Sequence, residues 1–375
     1  MEVAIIGGGI AGLTMAIALK RANIPFVIYE ATKEIKPVGA GIAIANNAMQ
    51  VYRHLGVADK LSDKGTRISN VLLTDFSLNI LDHTDLTPFE QQYKLANVAI
   101  HRSQLHQVLL GELETADILL DKRLEEITCN NEGLYQLAFK DGSKATHKFI
   151  IGADGLRSQV RQHIFGEKPL RDAKQVCWRG VLDFELPQKY EHVALEGWGR
   201  GKRFGFVKLE EHVVYWYYLV NESIYKEGSP LDSYLSGCDP MVRKMILDTP
   251  SASIFRDKIY DLPLLDEWYK DKVALIGDAA HASTPNLGQG ACQAIEDVYV
   301  ISKLLERYSL EESLAKFTAI RRYKAHMIVC ESWKLGKVAQ FSNPLLAGMR
   351  NTVFKMLPAS LKKKQLVAMF ELQKV

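Results

Sequence analysis

The chain has 375 residues, 47% hydrophobic and 24% charged, with 47 basic against 44 acidic side chains and a net charge of +3. That is the composition of a globular protein long enough for two domains, and the charge excess, with a pI near 8.4, is too mild for a nucleic-acid binder. The five cysteines stand singly, without CxxC or metal-ligand spacing, which argues against a disulfide scaffold or a metal site and for free thiols in a reducing compartment.

No apolar run approaches the ~18 residues of a spanning helix, and a strand begins two residues after Met1, so neither membrane insertion nor a signal peptide is expected and the localisation reads as cytoplasmic. That first strand is an apolar run, Val3 to Ile6. Gly7-x-Gly9-x-x-Gly12 follows at once, and Leu13 to Arg21 continues as an apolar helix. In such a strand–turn–helix unit the first glycine makes the turn, the second lets backbone approach a pyrophosphate, and the third lets helix pack on strand. The phosphates rest on unpaired amides at the helix N-terminus, where the dipole favours negative charge. A second strand ends at Glu30, eighteen residues beyond Gly12, placed to take the ribose hydroxyls of an adenosine. An acid there favours a free ribose over a 2′-phosphate, so FAD and NAD both fit better than NADP.

Pro37, Gly39 and Gly41 suggest a close-approach loop, read either as a plain loop or as backbone against the cofactor. Ala45 to Leu55 reads as a helix ended by Gly56, and the alternation over 68–85 as antiparallel strands leaving the first domain. A helix after Arg102 takes Ser103 as its N-cap and buries Leu105, Val108 and Leu109. Arg102 itself reads as surface charge. Short apolar runs at Ile118 and from Leu124 to Ile127 precede a hairpin turning at Asp141-Gly142.

A second strand-to-turn motif, with Asp154-Gly155 and Ser158, leads into a helix over 157–164. Residues 175–220 are aromatic and alternating, and predict an antiparallel sheet, rich in Trp178, Trp198, Tyr215, Trp216 and Tyr217, as the floor of a second domain. Most of these rings read as core, with those facing the cofactor as the exception. From Val273 the pattern returns to a buried strand, a Gly277-Asp278 turn, a loop with Pro285, and Gly288-Gln289-Gly290 opening a helix. The remainder, 291–375, reads as helical with breaks at Gly336 and Pro344, and Lys362-Lys363-Lys364 as a solvated helix face.

Taken together, GGGIAG with Glu30, GADGLRS at 152–158 and ALIGDAAHASTPNLGQG at 274–290 resemble the flavoprotein aromatic hydroxylases, the single-component FAD monooxygenases of the para-hydroxybenzoate hydroxylase type. EATKEIKPVGAGI, CWRG and WGRGKRFGF look most like the branch with urate hydroxylase, salicylate-type hydroxylases and zeaxanthin epoxidases, with the tetracycline-inactivating monooxygenases a further similarity. The resemblance implies an α/β fold: a Rossmann-like FAD-binding domain over 1–70, 98–174 and 265–330, interleaved with a smaller α+β substrate domain on an antiparallel sheet over 71–97 and 175–264, and C-terminal helices over 331–375.

It also implies roles. Gly7, Gly9, Gly12 and Glu30 match the ADP fingerprint, with Ala11 between the glycines. Arg102 matches an arginine on the FAD, Asp154 the DG motif, Asp278 the GD motif on the ribityl chain, and Pro285 with Gly288 to Gly290 the loop along the isoalloxazine. Gly41, Leu124, Gln289 and Ala291 complete the cofactor set. Arg203 and Tyr215 match substrate-side residues of urate hydroxylase, with surface or core packing as the alternative, and His281 reads as structural. The implied reaction uses NADH or NADPH as transient donor and molecular oxygen to hydroxylate a small electron-rich aromatic through a flavin C(4a)-hydroperoxide. No metal, no nucleic-acid partner and no stable membrane insertion is implied, and a monomer or homodimer is expected. The absence of WxWxIP argues against a flavin halogenase, and no thioredoxin-like third domain is expected. Two other classes compete: a flavin reductase or dehydrogenase on the same fold that inserts no oxygen, and a non-enzymatic dinucleotide sensor.

Overall fold

The computed structural model describes residues 2–34, 40–113 and 117–375; Pro37 and Gly39 of the close-approach loop lie outside the described residues. The first sheet has six strands in the order Tyr269–Lys270, Val273–Leu275, Phe149–Gly152, Val3–Ile6, Phe26–Tyr29 and Asp117–Leu119. Every neighbouring pair is parallel except the edge hairpin of Tyr269–Lys270 with Val273–Leu275. Val3–Ile6 is buried throughout, the mark of a parallel strand covered on both faces. From this strand the chain winds one way to Phe26–Tyr29, and later returns on the other side as Phe149–Gly152. The order therefore reverses between Val3–Ile6 and Phe149–Gly152. In an open α/β sheet, ligands bind in the crevice at the carboxyl ends of strands where this reversal occurs.

The second sheet has seven strands in the order Ile254–Asp261, Arg171–Asp183, Val213–Asn221, Lys202–Lys208, Val193–Trp198, Asn70–Asp75 and Ile80–Asp85. It is antiparallel except where Val193–Trp198 runs beside Asn70–Asp75. Its two faces separate the aromatic residues by parity, because side chains alternate along a strand. Trp178, Phe204, Phe206, Trp216 and Tyr218 pack with Val242, Met245 and Ile246 of helix Pro240–Asp248. Tyr215, Tyr217, Glu196 and Arg203 lie on the opposite face. On both faces a ring lies over a directly paired glycine: Trp216 over Gly180, Phe204 over Gly197, and Tyr217 over Gly205. A Cβ on these glycines would come within 2.7, 2.2 and 2.3 Å of the ring, so the bare backbone is what lets each ring lie flat across the sheet.

A small antiparallel sheet of Gly41–Ile44, Asn97–His101 and Thr66–Ile68 sits between the two large ones, and a meander of Leu124–Cys129, Tyr135–Phe139 and Lys144–His147 turns at Gly142 with φ +83°. Three local expectations need correction. Helix Arg102–Gly111 is capped by His101, whose ring accepts from the Ser103 N–H, because the preceding strand runs one residue further than the pattern suggests. Gly336 breaks nothing: helix Leu310–Ala339 runs through it, and the interruption falls before Pro344, which opens helix Pro344–Met356. A Cβ on Gly336 would stand 2.3 Å from the Asn286 side chain, so the glycine serves a close approach. Lys362 is not merely solvated, since it forms an ion pair with Asp82. Gly41 is pressed against Tyr215, whose Cβ lies 2.5 Å from the position a Gly41 Cβ would take.

Candidate active site

In the glycine turn after Val3–Ile6, Gly7 makes the turn and Gly12 makes the close helix packing, as the spacing predicts. Gly7 holds φ +108°, and a Cβ there would strike the Ala153 carbonyl at 2.5 Å. A Cβ on Gly12 would come within 1.9 Å of the Gly7 carbonyl, so helix Ile10–Arg21 can seat on the turn only with glycine there. A Cβ on Gly9 meets nothing within 4 Å. Gly9 is thus bare for no packing reason, and the open space before it suits a pyrophosphate over the helix N-terminus. Glu30 closes the next strand, accepting from the Gly8 N–H at 2.7 Å and the Thr32 N–H at 2.8 Å.

Asp154, at the end of Phe149–Gly152, accepts from the Gln159 N–H at 2.7 Å, the Val160 N–H at 3.1 Å and the Ser158 hydroxyl at 2.5 Å. It anchors the N-terminus of helix Gln159–Phe165, where Ser158 is the cap. Burial pushes its carboxyl upward against these donors.

The third turn, Gly277-Asp278, follows Val273–Leu275. Gly277 has φ +59°, and a Cβ there would press on Ala294 at 2.9 Å and Ala11 at 3.2 Å, so the turn is sunk between helices Ile10–Arg21 and Gly290–Leu305. Its amide donates to Asp297 at 2.9 Å. Asp297 also accepts from His281 at 2.6 Å and from Arg321 at 2.8 Å. Glu296, beside it, takes Lys324 at 2.9 Å and Arg321 at 3.2 Å. These buried charges balance one another. His281 is 4% exposed and packs on Trp268 at 4.9 Å, a structural placement.

Asp278, by contrast, is solvent-accessible, with its carboxylate 3.8 Å from where a Gly290 Cβ would stand. Loss of solvation pushes it upward, while His281 and Arg102 pull the other way. Arg102 is exposed, with its N–H on the Ala40 carbonyl at 2.9 Å. An accessible carboxylate, a nearby guanidinium and the bare Gly9 fit a flavin dinucleotide: Gly7 to Gly12, Glu30, Arg102 and Asp278 would hold it. Pro285 and Gly288 are exposed along the same loop, Ala291 is half-buried, and Gly288 has φ +62° with nothing within 4 Å of a Cβ.

Two members of the cofactor set have buried side chains. The Leu124 side chain is 5% exposed in the main core. The Gln289 side chain is 2% exposed and accepts from Asn47 at 2.9 Å and Gln293 at 3.1 Å, so only its backbone is left for a ligand.

On the second sheet, Arg203 is 1% exposed. Its guanidinium donates to Glu196 at 3.3 Å and to Asn286 Oδ1 at 2.5 Å. Asn286 lies in the Pro285–Leu287 turn and donates to Thr284 and to the Ser332 carbonyl, both at 2.8 Å. Glu196 also accepts from the Tyr217 hydroxyl and the Trp198 indole. Burial raises both Tyr215 and Tyr217 above the ordinary phenol range, Glu196 adding to the effect on Tyr217. Tyr215 and Tyr217 stand 6.3 Å apart beside Arg179, which pairs with Asp257. Glu196 and Tyr217 escape a motif reading, since they assemble across strands, and although Asn286 lies inside the 274–290 motif, its bond to Arg203 is not visible from that motif. The signal available was parity: Tyr217 is two residues from Tyr215, and Glu196 and Arg203 lie on adjacent strands.

A family model described as an FAD binding domain matches residues 1–332. The chain is 32% identical over 363 residues to the aurachin C monooxygenase/isomerase of Stigmatella aurantiaca, covering 95% of this chain and 94% of that protein. It is 30% identical to the 2-heptyl-3-hydroxy-4(1H)-quinolone synthase of Pseudomonas aeruginosa, covering 97% and 96%, and 30% identical to the FAD-dependent urate hydroxylase of Klebsiella oxytoca, covering 87% and 85%. Among solved structures, Klebsiella pneumoniae HpxO with FAD and uric acid matches with a TM-score of 0.89 at 24% identity, over 98% of this chain and 96% of that one.

Proposed function

We propose, on the premise that this chain belongs to the flavoprotein aromatic hydroxylases, that its substrate is a planar N-heteroaromatic enol or lactam of the 4-quinolone kind. The chain is an FAD-dependent monooxygenase using NAD(P)H and molecular oxygen on a small aromatic or heteroaromatic compound. Bound FAD supplies the electron transfer and oxygen activation; the residues supply position, dryness and a proton path. The FAD-binding unit comprises 1–70, 98–174 and 265–330, and the substrate unit 71–97 and 175–264.

The observation that carries the reading is the chain of bonds from Tyr217 through Glu196 and Arg203 to Asn286. It ties the substrate-side sheet to the loop carrying Pro285 and Gly288. The Tyr217 hydroxyl donates to Glu196, which leaves the phenol oxygen able to accept from an acidic N–H or O–H of the substrate. A proton taken at that oxygen is relayed as the phenol proton passes to Glu196, leaving an electron-rich ring in place. Arg203, paired with Glu196, fixes the relay and is not itself the substrate's counter-ion. Tyr215, against Gly41, closes the wall and keeps water out. Arg102 and Asp278 hold the cofactor end.

The quinolone preference draws support from the 2-heptyl-3-hydroxy-4(1H)-quinolone synthase, which matches over nearly the whole chain, and a urate-like purine is the second reading, supported by the urate hydroxylases. The test is oxidation of NADH and of NADPH by the FAD-loaded protein with a 4-quinolone lacking the 3-hydroxyl, with urate and with 6-hydroxynicotinate, quantifying peroxide and the oxygenated product by mass. Coupled oxygenation of the quinolone is expected. Donor oxidation that yields only peroxide with every compound would refute this substrate assignment.

A further inference from the structure

Helix Pro344–Met356 has one anchored face and one bare face. Ala347 and Arg350 are buried, and the Arg350 guanidinium donates to the Ala339 carbonyl at 2.6 Å and the Gly199 carbonyl at 3.1 Å. It also lies over the Trp198 ring at 5.1 Å, which Phe354 meets edge-on at 4.7 Å. The other face carries Leu345, Met349, Val353 and Met356, which are 77%, 65%, 56% and 76% exposed, with Leu346 beside them and Leu361 at the start of the next helix. Positions 345, 349, 353 and 356 recur at helical spacing, so they form one stripe along the axis. Scattered apolar residues are normal on a surface; a continuous stripe marks an interaction site.

The charge around the stripe names the partner. Residues 341–370 hold Arg350, Lys355, Lys362, Lys363 and Lys364 and no aspartate or glutamate. Arg350 and Lys362 are spent within the fold, while Lys355, Lys363 and Lys364 are exposed. An apolar stripe flanked by free lysines is the pattern of a helix lying in a membrane interface, with its apolar side at the acyl boundary and its cations among the headgroups. We propose that this face docks the protein reversibly on a bilayer carrying anionic lipid. No described helix is long and apolar enough to cross a membrane, and this one, 13 residues long, would lie flat. A second copy of the chain is a poorer occupant, since a two-fold contact sets the same patch against itself and would bring the lysine flanks together. The docked helix braces Trp198, whose indole donates to Glu196, so the bare face lies on the outer side of the candidate substrate wall.

Flotation of the FAD-loaded full chain with phosphatidylcholine vesicles, with and without about 30 mol% phosphatidylglycerol, tests the proposal without reference to turnover. The protein is expected to float with the anionic vesicles, less so as salt is raised. Met349→Glu with Val353→Glu should lower the bound fraction on the order of tenfold, at unchanged flavin content and melting temperature, while Met349→Leu with Val353→Leu keeps it. Absence of flotation with anionic vesicles, or flotation undiminished by the two glutamates, overturns the proposal. So does a dimer, seen by sedimentation, that the glutamates dissociate in a protein that never floats.

Discussion

The Arg203 guanidinium lies 2.5 Å from Asn286 Oδ1, a bond spanning 83 positions of sequence that fastens the seven-stranded sheet to the Pro285–Leu287 turn. Removing it frees Glu196 to move and lets the turn drift from the wall. Losing a hydrogen bond to a charged group costs about 1.5–3 kcal/mol. We expect Arg203→Ala to lower kcat/KM for the oxygenated substrate about tenfold to a hundredfold, with a larger share of NAD(P)H lost to peroxide and little change in FAD affinity. Arg203→Lys should rescue poorly, because one ammonium cannot reproduce the planar fork that reaches Glu196 and Asn286 together. Steady-state kinetics with peroxide detection and flavin titration decide it; loss of FAD in step with activity would place Arg203 in the cofactor site instead.

A second prediction concerns acid stability. Burial opposes ionisation of Asp297, yet His281, Arg321 and the Gly277 N–H outweigh it and hold the carboxyl below its usual range. A carboxyl depressed in the folded state stabilises the fold fully above its unfolded value of about 3.9, and that contribution is lost as pH falls through the lower folded value. Breaking a buried ion pair by removing one partner costs about 3–5 kcal/mol. Asp297→Asn should therefore be destabilised by about 3 kcal/mol at pH 7, and the gap from wild type should close below about pH 4. Urea unfolding at a series of pH values tests this, and a gap independent of pH would show that the charge of Asp297 is not what stabilises.

How much of this could be read from sequence depends on the range of the interaction. The Gly7, Gly9 and Gly12 turn is a local geometry, and its motif carries the α/β fold with it. Parity along 213–221 separates the rings packed on helix Pro240–Asp248 from those on the opposite face, but only once the partner strands are known. Gly336 and Gly41 illustrate the limit. Each is glycine because a side chain distant in sequence, Asn286 or Tyr215, needs the space, and nothing local distinguishes that from a helix break or a loop. His101 displaces Ser103 as a cap because strand pairing with Gly41 extends the strand, a tertiary effect overriding cap preference. Glu196 lacks a motif altogether, since its partners Trp198, Arg203 and Tyr217 come from three strands.

The accessible carboxylate of Asp278 gives a third prediction. It is exposed while its neighbour Gly277 is pinned by Asp297, so replacing it should disturb the ligand more than the fold. Asp278→Ala is expected to weaken FAD binding by about 1.5–3 kcal/mol, roughly tenfold to a hundredfold in Kd, with the apoprotein melting near the wild-type temperature. Flavin absorbance after purification and a fluorescence titration of apoprotein supply the two readings, and unchanged flavin content and affinity would remove Asp278 from the cofactor site.

The last prediction separates two glycines of one motif. Gly9 has φ −76° and ψ −173°, an extended conformation open to any residue, and its Cβ would meet nothing within 4 Å. The methyl of Gly9→Ala therefore costs the apoprotein little, within about 0.5 kcal/mol as for an unstrained surface change, but occupies the space through which a pyrophosphate approaches the amides. Gly12 is the opposite case: a Cβ would lie 1.9 Å from the Gly7 carbonyl, a contact no side-chain rotation relieves, so helix Ile10–Arg21 must lift from the turn. Gly9→Ala should yield folded, colourless protein with a near-normal apoprotein melting curve. Gly12→Ala should lower stability by several kcal/mol, as overpacking against backbone does, and lose flavin as a consequence. Denaturant unfolding of the two apoproteins beside their flavin content makes the comparison; a Gly9→Ala protein that stays yellow would mean that the cofactor phosphates do not pass over this turn.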